Sequence, residues 1–475
     1  MFDKMKIATH WGRPGRQLVS SLVLFMLLLT TAQQSAVAIT LDRLSADDPS
    51  HNHFYFGYST ALTSDYAIIG SPGGIQSNKD ATNFGGSFHI IDTSNGQVLL
   101  TVDDPAPPGG FNGNEFGTTV ATNGDIAVTG NFWGDTSAMV YDVDPLSGTF
   151  GSILTTLTPS GDPIIGLEQA VVQGDRALVG FRGSGFGGAS IFDVDPASPT
   201  FGDELFQLST SSAGAINRAF GDHVAWDGDT ALVSATFDNS EPDAPLPPPL
   251  PLTAAESNSS VSSTGAVYVY DTTTGSEIAR LVASDGATTD QFGSSVSLAN
   301  GLALVGAEFH AGGGVHRSGA AYLFDVDPLS PSFGDELIEL VAPDGAIEDF
   351  FGHNVLLVGT TAIVQAPEDE HASGSTGSLY FFDVDPLSPS FGDQIAFLAA
   401  PAGGNFRGQL SADGDTILVG AALEESLRGA AYMFSLNEAL NSSVPEPSSL
   451  ALATIAMLGL GCLYCRRSAR RAVGL

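Results

Sequence analysis

At residues 291–345 the chain reads "QFGSSVSLANGLALVGAEFHAGGGVHRSGAAYLFDVDPLSPSFGDELIELVAPDG". Four strand-like runs stand in this stretch. "SVSLA" alternates apolar and polar residues and ends in "NG". "LALVGA" follows, then a glycine-rich loop, then "AAYLFD", an acidic loop containing proline, and "ELIELVA". Asn-Gly between two apolar runs is a two-residue hairpin signal. The stretch predicts a four-stranded antiparallel unit.

The unit recurs seven times. Its Phe-Gly opening stands at Phe56-Gly57, Phe116-Gly117, Phe220-Gly221, Phe292-Gly293 and Phe351-Gly352, with degenerate copies at Ile165-Gly166 and Arg407-Gly408. The third strand ends in Asp92, Asp142, Asp193, Asp271, Asp325 and Asp383, and Ser435 takes that place in the seventh unit. Seven units of this kind predict an all-β, seven-bladed β-propeller over residues 39–443. The seventh unit stops after its third strand, "GAAYMFSL". The early segment "ITLDRLSADDP" resembles the fourth strands of other units, so the N-terminal strand is expected to complete the last blade and close the ring.

The phrase "FDVDPLSPSFGDEL" and its variants begin at Tyr141, Phe192, Phe324 and Phe382. Each joins a third strand to a fourth. Asp caps its own turn and Pro presets φ, so a structural loop is the first expectation. The strongest interruption is a Pro-rich insertion at 238–264, expected to run extended as a spacer loop between strands two and three of the fourth unit.

The charge is uneven. The chain has 17 Lys+Arg and 53 Asp+Glu. Four basic residues precede Ile39 and four follow Cys465, leaving about −42 on residues 39–443. Such a surface repels phosphate backbones and argues against nucleic-acid binding. Lys4, Lys6, Arg13 and Arg16 precede an apolar run from Leu18 to Leu29, and Ala36 and Ala38 offer a small-residue cleavage site, so residues 1–38 are expected to be a secretory signal. Residues 448–465 are apolar and are followed by Arg466 and Arg467, the pattern of a single membrane helix with its basic end in the cytoplasm. Cys462 and Cys465 lie in that helix, so no disulfide staples the exported part.

The Phe-Gly openings, best seen in "FGSSVSLANGLALVGA" (292–307) and "GAAYLFD" (319–325), resemble the FG-GAP repeats of integrin α-subunit propellers, in the short bacterial variety. At the C-terminus, "VPEP" (444–447), the apolar run and the arginine cluster resemble a PEP-CTERM sorting signal over 444–475. That resemblance implies export, recognition by an exosortase-type processing enzyme and cleavage near Pro445, Glu446 and Pro447. It places the protein at the cell envelope or outside it, anchored transiently or stably in the membrane by the helix. Integrin-type repeats carry a calcium loop between strands one and two. Here that junction is as short as "WDGDT" or "ADGDT", so Asp227 with Asp229, or Asp413 with Asp415, gives two carboxylates at most, and calcium is not carried over.

Three groups of residues are candidates for a site. Asp325, Asp327 and Asp335, and likewise Asp383, Asp385 and Asp393, are the acids on which a cation such as Ca²⁺ would be sought. His310, His316, His371, Glu368 and Glu370 lie on strand two–three loops and offer transition-metal ligands. The third search, for catalysis, finds no nucleophile elbow, HExxH or phosphate loop. It also lacks the recurring tryptophans of quinoprotein propellers, since the chain has Trp11, Trp133 and Trp226 alone. The expected function is a non-enzymatic surface or matrix module that binds a protein or a polysaccharide. The alternatives are an extracellular polysaccharide hydrolase or lyase, and a cation-dependent adhesin.

Overall fold

The structure is a computed structural model that describes residues 39–46, 55–73, 85–105, 115–131, 138–160, 164–183, 187–210, 219–238, 264–370 and 376–442. The expected secretory signal, the C-terminal segment with its expected membrane helix, the interior of the Pro-rich insertion and His371 lie outside the described residues. Among the described residues, no helix is long and apolar enough to cross a membrane. Residues 40–440 form one compact unit.

This unit holds seven four-stranded antiparallel sheets. Blade 5 is representative, with strands Ser295–Ala299, Leu302–Ala307, Ala320–Asp325 and Glu336–Leu340. In six blades the strands pair in chain order. The seventh pairs Leu410–Asp413, Thr416–Ala421 and Ala430–Ser435, and then takes Asp42–Leu44 from the other end of the chain. The register is Asp42 opposite Met433, Arg43 opposite Tyr432 and Leu44 opposite Ala431. The N-terminal strand therefore closes the ring as expected, with three residues of the longer segment in the ladder.

Burial follows position in the blade. The second and third strands of blade 5 are buried at every residue. The fourth is half-buried except at Leu340. Middle strands are covered on both faces by neighbouring blades and so are continuously apolar, whereas an outer strand has one wet side. The core is accordingly a ring of layers between blades. One layer joins Leu232, Val267 and Val269 of blade 4 to Ala303, Tyr322 and Phe324 of blade 5. Another joins Leu44, Leu418 and Ala431 of blade 7 to Phe56, Ala67 and Ile69 in blade 1.

The Phe-Gly pair is the bolt between blades. Phe56, Phe116, Phe292 and Phe351 are at most 1% exposed. Each bridges the glycine that opens the third strand of the preceding blade: Gly429, Gly86, Gly265 and Gly319 respectively. The Gly429–Phe56 bridge repeats at the closure the contact made between consecutive blades. The glycines are required by backbone proximity. A Cβ on Gly306 would lie 2.0 Å from the Gly352 carbonyl oxygen, and one on Gly420 would lie 1.7 Å from that of Gly57. In blade 7 the buried ring is Phe406, fully covered and packed edge-on against Tyr432. The aromatic that the degenerate Arg407-Gly408 opening lacks is thus supplied one residue before Arg407.

Candidate functional site

The DVDP loops are knots tied by their first aspartate. Asp325 accepts the Asp327 N–H at 3.0 Å through one oxygen, and the Ser330 and Ser332 hydroxyls at 2.5 and 2.6 Å through the other. Asp383 does the same with Asp385 N–H, Ser388 and Ser390, and Asp142 and Asp193 repeat it. The next aspartate caps one step further: Asp327 accepts the Leu329 N–H and Asp385 the Leu387 N–H. The hydroxyls of Ser388 and Ser390 hold the Asp383 carboxyl below the usual carboxylate range. At Asp325 burial pushes upward, and the hydroxyls and the Asp327 N–H outweigh it. Asp335 and Asp393 contribute backbone carbonyls to this turn, accepting from Asp325 N–H and Asp383 N–H. Among the described residues, these six carboxylates do not converge as a metal-sized group. The repeat of Asp, Asp, Ser and Ser is explained by the turn itself. It presents Leu146, Leu329 and Leu387 at its tips, each at least 93% exposed.

The short strand one–two turns share this face and join blades. Their carbonyls accept bonds from the preceding blade: Tyr66 Oη donates to Gly124, Asn123 to Gly174, Gln173 to Gly228 and Asn300 to Gly359. Asp227 accepts the Asn300 N–H at 2.7 Å. A shallow depression of about 680 Å³ lies between the turns and loops of blades 1 and 2, lined by Asp65, Tyr66, Asp125, Asp144, Leu146 and Asp413 of blade 7.

The opposite face carries charge that sequence reasoning missed. Polar residues near the blade openings and at the ends of second strands come from different blades and act on one another there: Tyr58, Glu168, His223 and His353 follow their blade openings, Glu115 precedes its Phe-Gly, Arg407 stands at the degenerate opening, and Glu308 and Glu368 follow buried second-strand residues. Tyr58 of blade 1 keeps contact with water, yet the ring encloses it. That enclosure, then Glu115 and Glu168, raises its phenol, with Arg407 pulling the other way. Burial pushes His223 down to about 4 against the attraction of Glu308. Glu308 lies 2.5 Å from His353 Nδ1, and Arg407 pairs with Glu368.

Among the described residues, the loop histidines His310 and His316 do not form a common metal-sized group. His316 is exposed. His310 is buried and faces Asp285, Asp290 and Glu339. Asp285 lies on the connector into blade 5 and Glu339 on its outer strand, both remote from His310 in sequence.

A family model of the FG-GAP repeat matches residues 276–324 and 335–382. A model of the PEP-CTERM protein-sorting motif matches residues 443–471. No curated protein matches the chain. Among solved structures, one described as "Structure of U3-55K" aligns with a TM-score of 0.53 at 10% identity, covering 83% of this chain and 98% of that one. At that identity the likeness shows the propeller fold alone. The chain thus carries FG-GAP repeats in blades 4 to 6 of a seven-bladed propeller, and a PEP-CTERM motif that indicates export and sorting to the cell envelope.

Proposed function

We propose that this protein is a non-enzymatic interaction module of the cell surface or extracellular matrix, and that its DVDP face is the contact surface. The observation that carries this is the triplet Leu146, Leu329 and Leu387, each at least 93% exposed at the same loop position of blades 2, 5 and 6. Apolar tips repeated in register and held by rigid turns are anchors in search of sockets. The surrounding acidity favours a partner with a basic rim. A protein partner fits such tips better than a polysaccharide, which is gripped through aromatic platforms and hydrogen bonds. An exosortase-type enzyme acts at Pro445, Glu446 and Pro447 and frees the ring from its C-terminal helix. The test is the triple variant L146S/L329S/L387S, whose tips contribute nothing to the core. Loss of the protein from the surface or matrix fraction, with an unchanged melting temperature, supports the reading. Undiminished retention refutes it.

A second reading, a polysaccharide hydrolase or lyase, is favoured by the Glu308–His353 pair beside His223 at the opposite mouth. Cleavage of an extracellular polysaccharide by the wild type but not by E308Q would establish it.

A further inference from the structure

The outer strand and the two–three loop of a blade meet beside the third-strand tyrosine, and four blades fill that place differently. In blade 4, Tyr268 donates to Asp238, and Arg280, which pairs opposite Tyr268, reaches the same carboxylate at 3.3 Å. In blade 7, Tyr432 donates to Glu424, and Arg43 opposite it bonds Glu424 at 3.0 Å. In blade 6, Tyr380 bridges Asp344 and Asp369, with Phe397 opposite. Blade 5 departs from all three. Glu339 stands opposite Tyr322 in place of arginine, and His310 replaces the loop acid. Asp285 joins them, fixed by the Tyr322 hydroxyl at 2.9 Å.

The result is an imidazole among three carboxylates. His310 is 8% exposed. Its Nδ1 lies 2.8 Å from Asp290. Among the described residues, its Nε2 makes no hydrogen bond. The nearest oxygens belong to Asp285 at 3.6 Å and Glu339 at 3.7 Å, and the three atoms lie within 4.8 Å of one another. An imidazolium would draw such oxygens to about 2.8 Å. A tetrahedral metal with bonds of about 2.0–2.2 Å to nitrogen and oxygen instead holds its ligand atoms about 3.3–3.6 Å apart. Asp290 supplies the outer partner that a ligating histidine needs, orienting the ring with Nε2 toward Asp285 and Glu339.

We propose that Asp285, His310 and Glu339 form a divalent transition-metal site, with Zn²⁺ the ion they fit best. The single imidazole favours zinc over calcium or magnesium, which take oxygen ligands. Asp285 is half-exposed, so the fourth position opens to solvent for water or for an oxygen from a bound partner. The site lies on the face opposite the DVDP loops and does not depend on their role.

The experiment is equilibrium dialysis of the full chain against ZnCl₂ at neutral pH and high salt, with bound metal measured by atomic emission. Salt screens the diffuse attraction of the acidic surface. The expected result is one zinc per chain that excess Ca²⁺ does not displace. H310N retains a donor toward Asp290 but lacks Nε2, and it should bind at least about tenfold more weakly, as should E339Q. D285N at the half-exposed ligand should do the same and is the variant least costly to folding. Binding should weaken as pH falls, because the metal competes with a proton for Nε2. Failure of the wild type to hold zinc at high salt, or equal zinc binding by wild type and all three variants, would overturn the site and leave His310 as an ion-pair residue.

Discussion

Replacing Leu44 with alanine isolates the clasp that closes the ring. Leu44 is 4% exposed on a three-residue strand and packs with Phe56, Ala67, Leu418 and Ala431. Truncating a buried leucine costs about 2–5 kcal/mol. The lower part of that range, about 2–3 kcal/mol, applies because a short edge strand can settle into the space. A unit of about 400 residues has an unfolding entropy near 0.8 kcal/mol per kelvin, so the loss lowers the melting temperature by about 2–4 °C. Removing residues 39–46 goes further. It strips three cross-strand pairs and the Arg43–Glu424 ion pair, and leaves the strand Ala430–Ser435 as an open edge. Differential scanning calorimetry of wild type, L44A and the deletion should therefore give three descending transitions. Transitions coinciding within about 1 °C would refute closure by the N-terminal strand.

Two further outcomes follow from the packing and the turns. Gly306→Ala places a Cβ 2.0 Å from the Gly352 carbonyl. Backbone must move at the blade 5–6 junction, so thermal unfolding should shift by more than for Gly314→Ala, whose Cβ meets open space but whose φ of 83° imposes its own strain. Equal shifts would deny the bolt. S388A/S390A removes the hydroxyls that hold Asp383 low. The depressed carboxyl stabilises the fold above its unfolded pKa, near 3.8, and that contribution is lost as pH falls through its folded value. The variant should be less stable than wild type at neutral pH, with the gap narrowing as the solution is acidified below about 4. A gap independent of pH would argue against the knot.

The ring was legible because its cause is local and repeated. Phe-Gly, the Asn-Gly and Asp-Gly turns, and the apolar middle strands recur at fixed offsets, and each offset corresponds to one contact between blades. The shared blade could be read from a missing fourth strand at one end and its text at the other. Phe406 was harder, because the buried ring precedes its glycine by two places instead of one. The DVDP acids invited a cation by composition. Only side-chain geometry reveals that Ser330 and Ser332 already occupy Asp325, and Ser388 and Ser390 occupy Asp383. The residues Tyr58, His223, Glu308 and His353 and the Asp285–His310–Glu339 group stayed hidden for another reason. Each is assembled from loops or blades distant in sequence, and a single chain shows no periodic mark that joins them.

Export and sorting are the premise of every surface role, and the mature ends of the protein test them most directly. Mass spectrometry of the native protein from the envelope or matrix fraction should recover an N-terminus at Ile39 and peptides up to Glu446, with none joining Pro447 to the apolar segment that follows. Recovery of the intact chain from the cytoplasm, or of peptides spanning Ala38 and Pro447 in the surface fraction, would contradict the account.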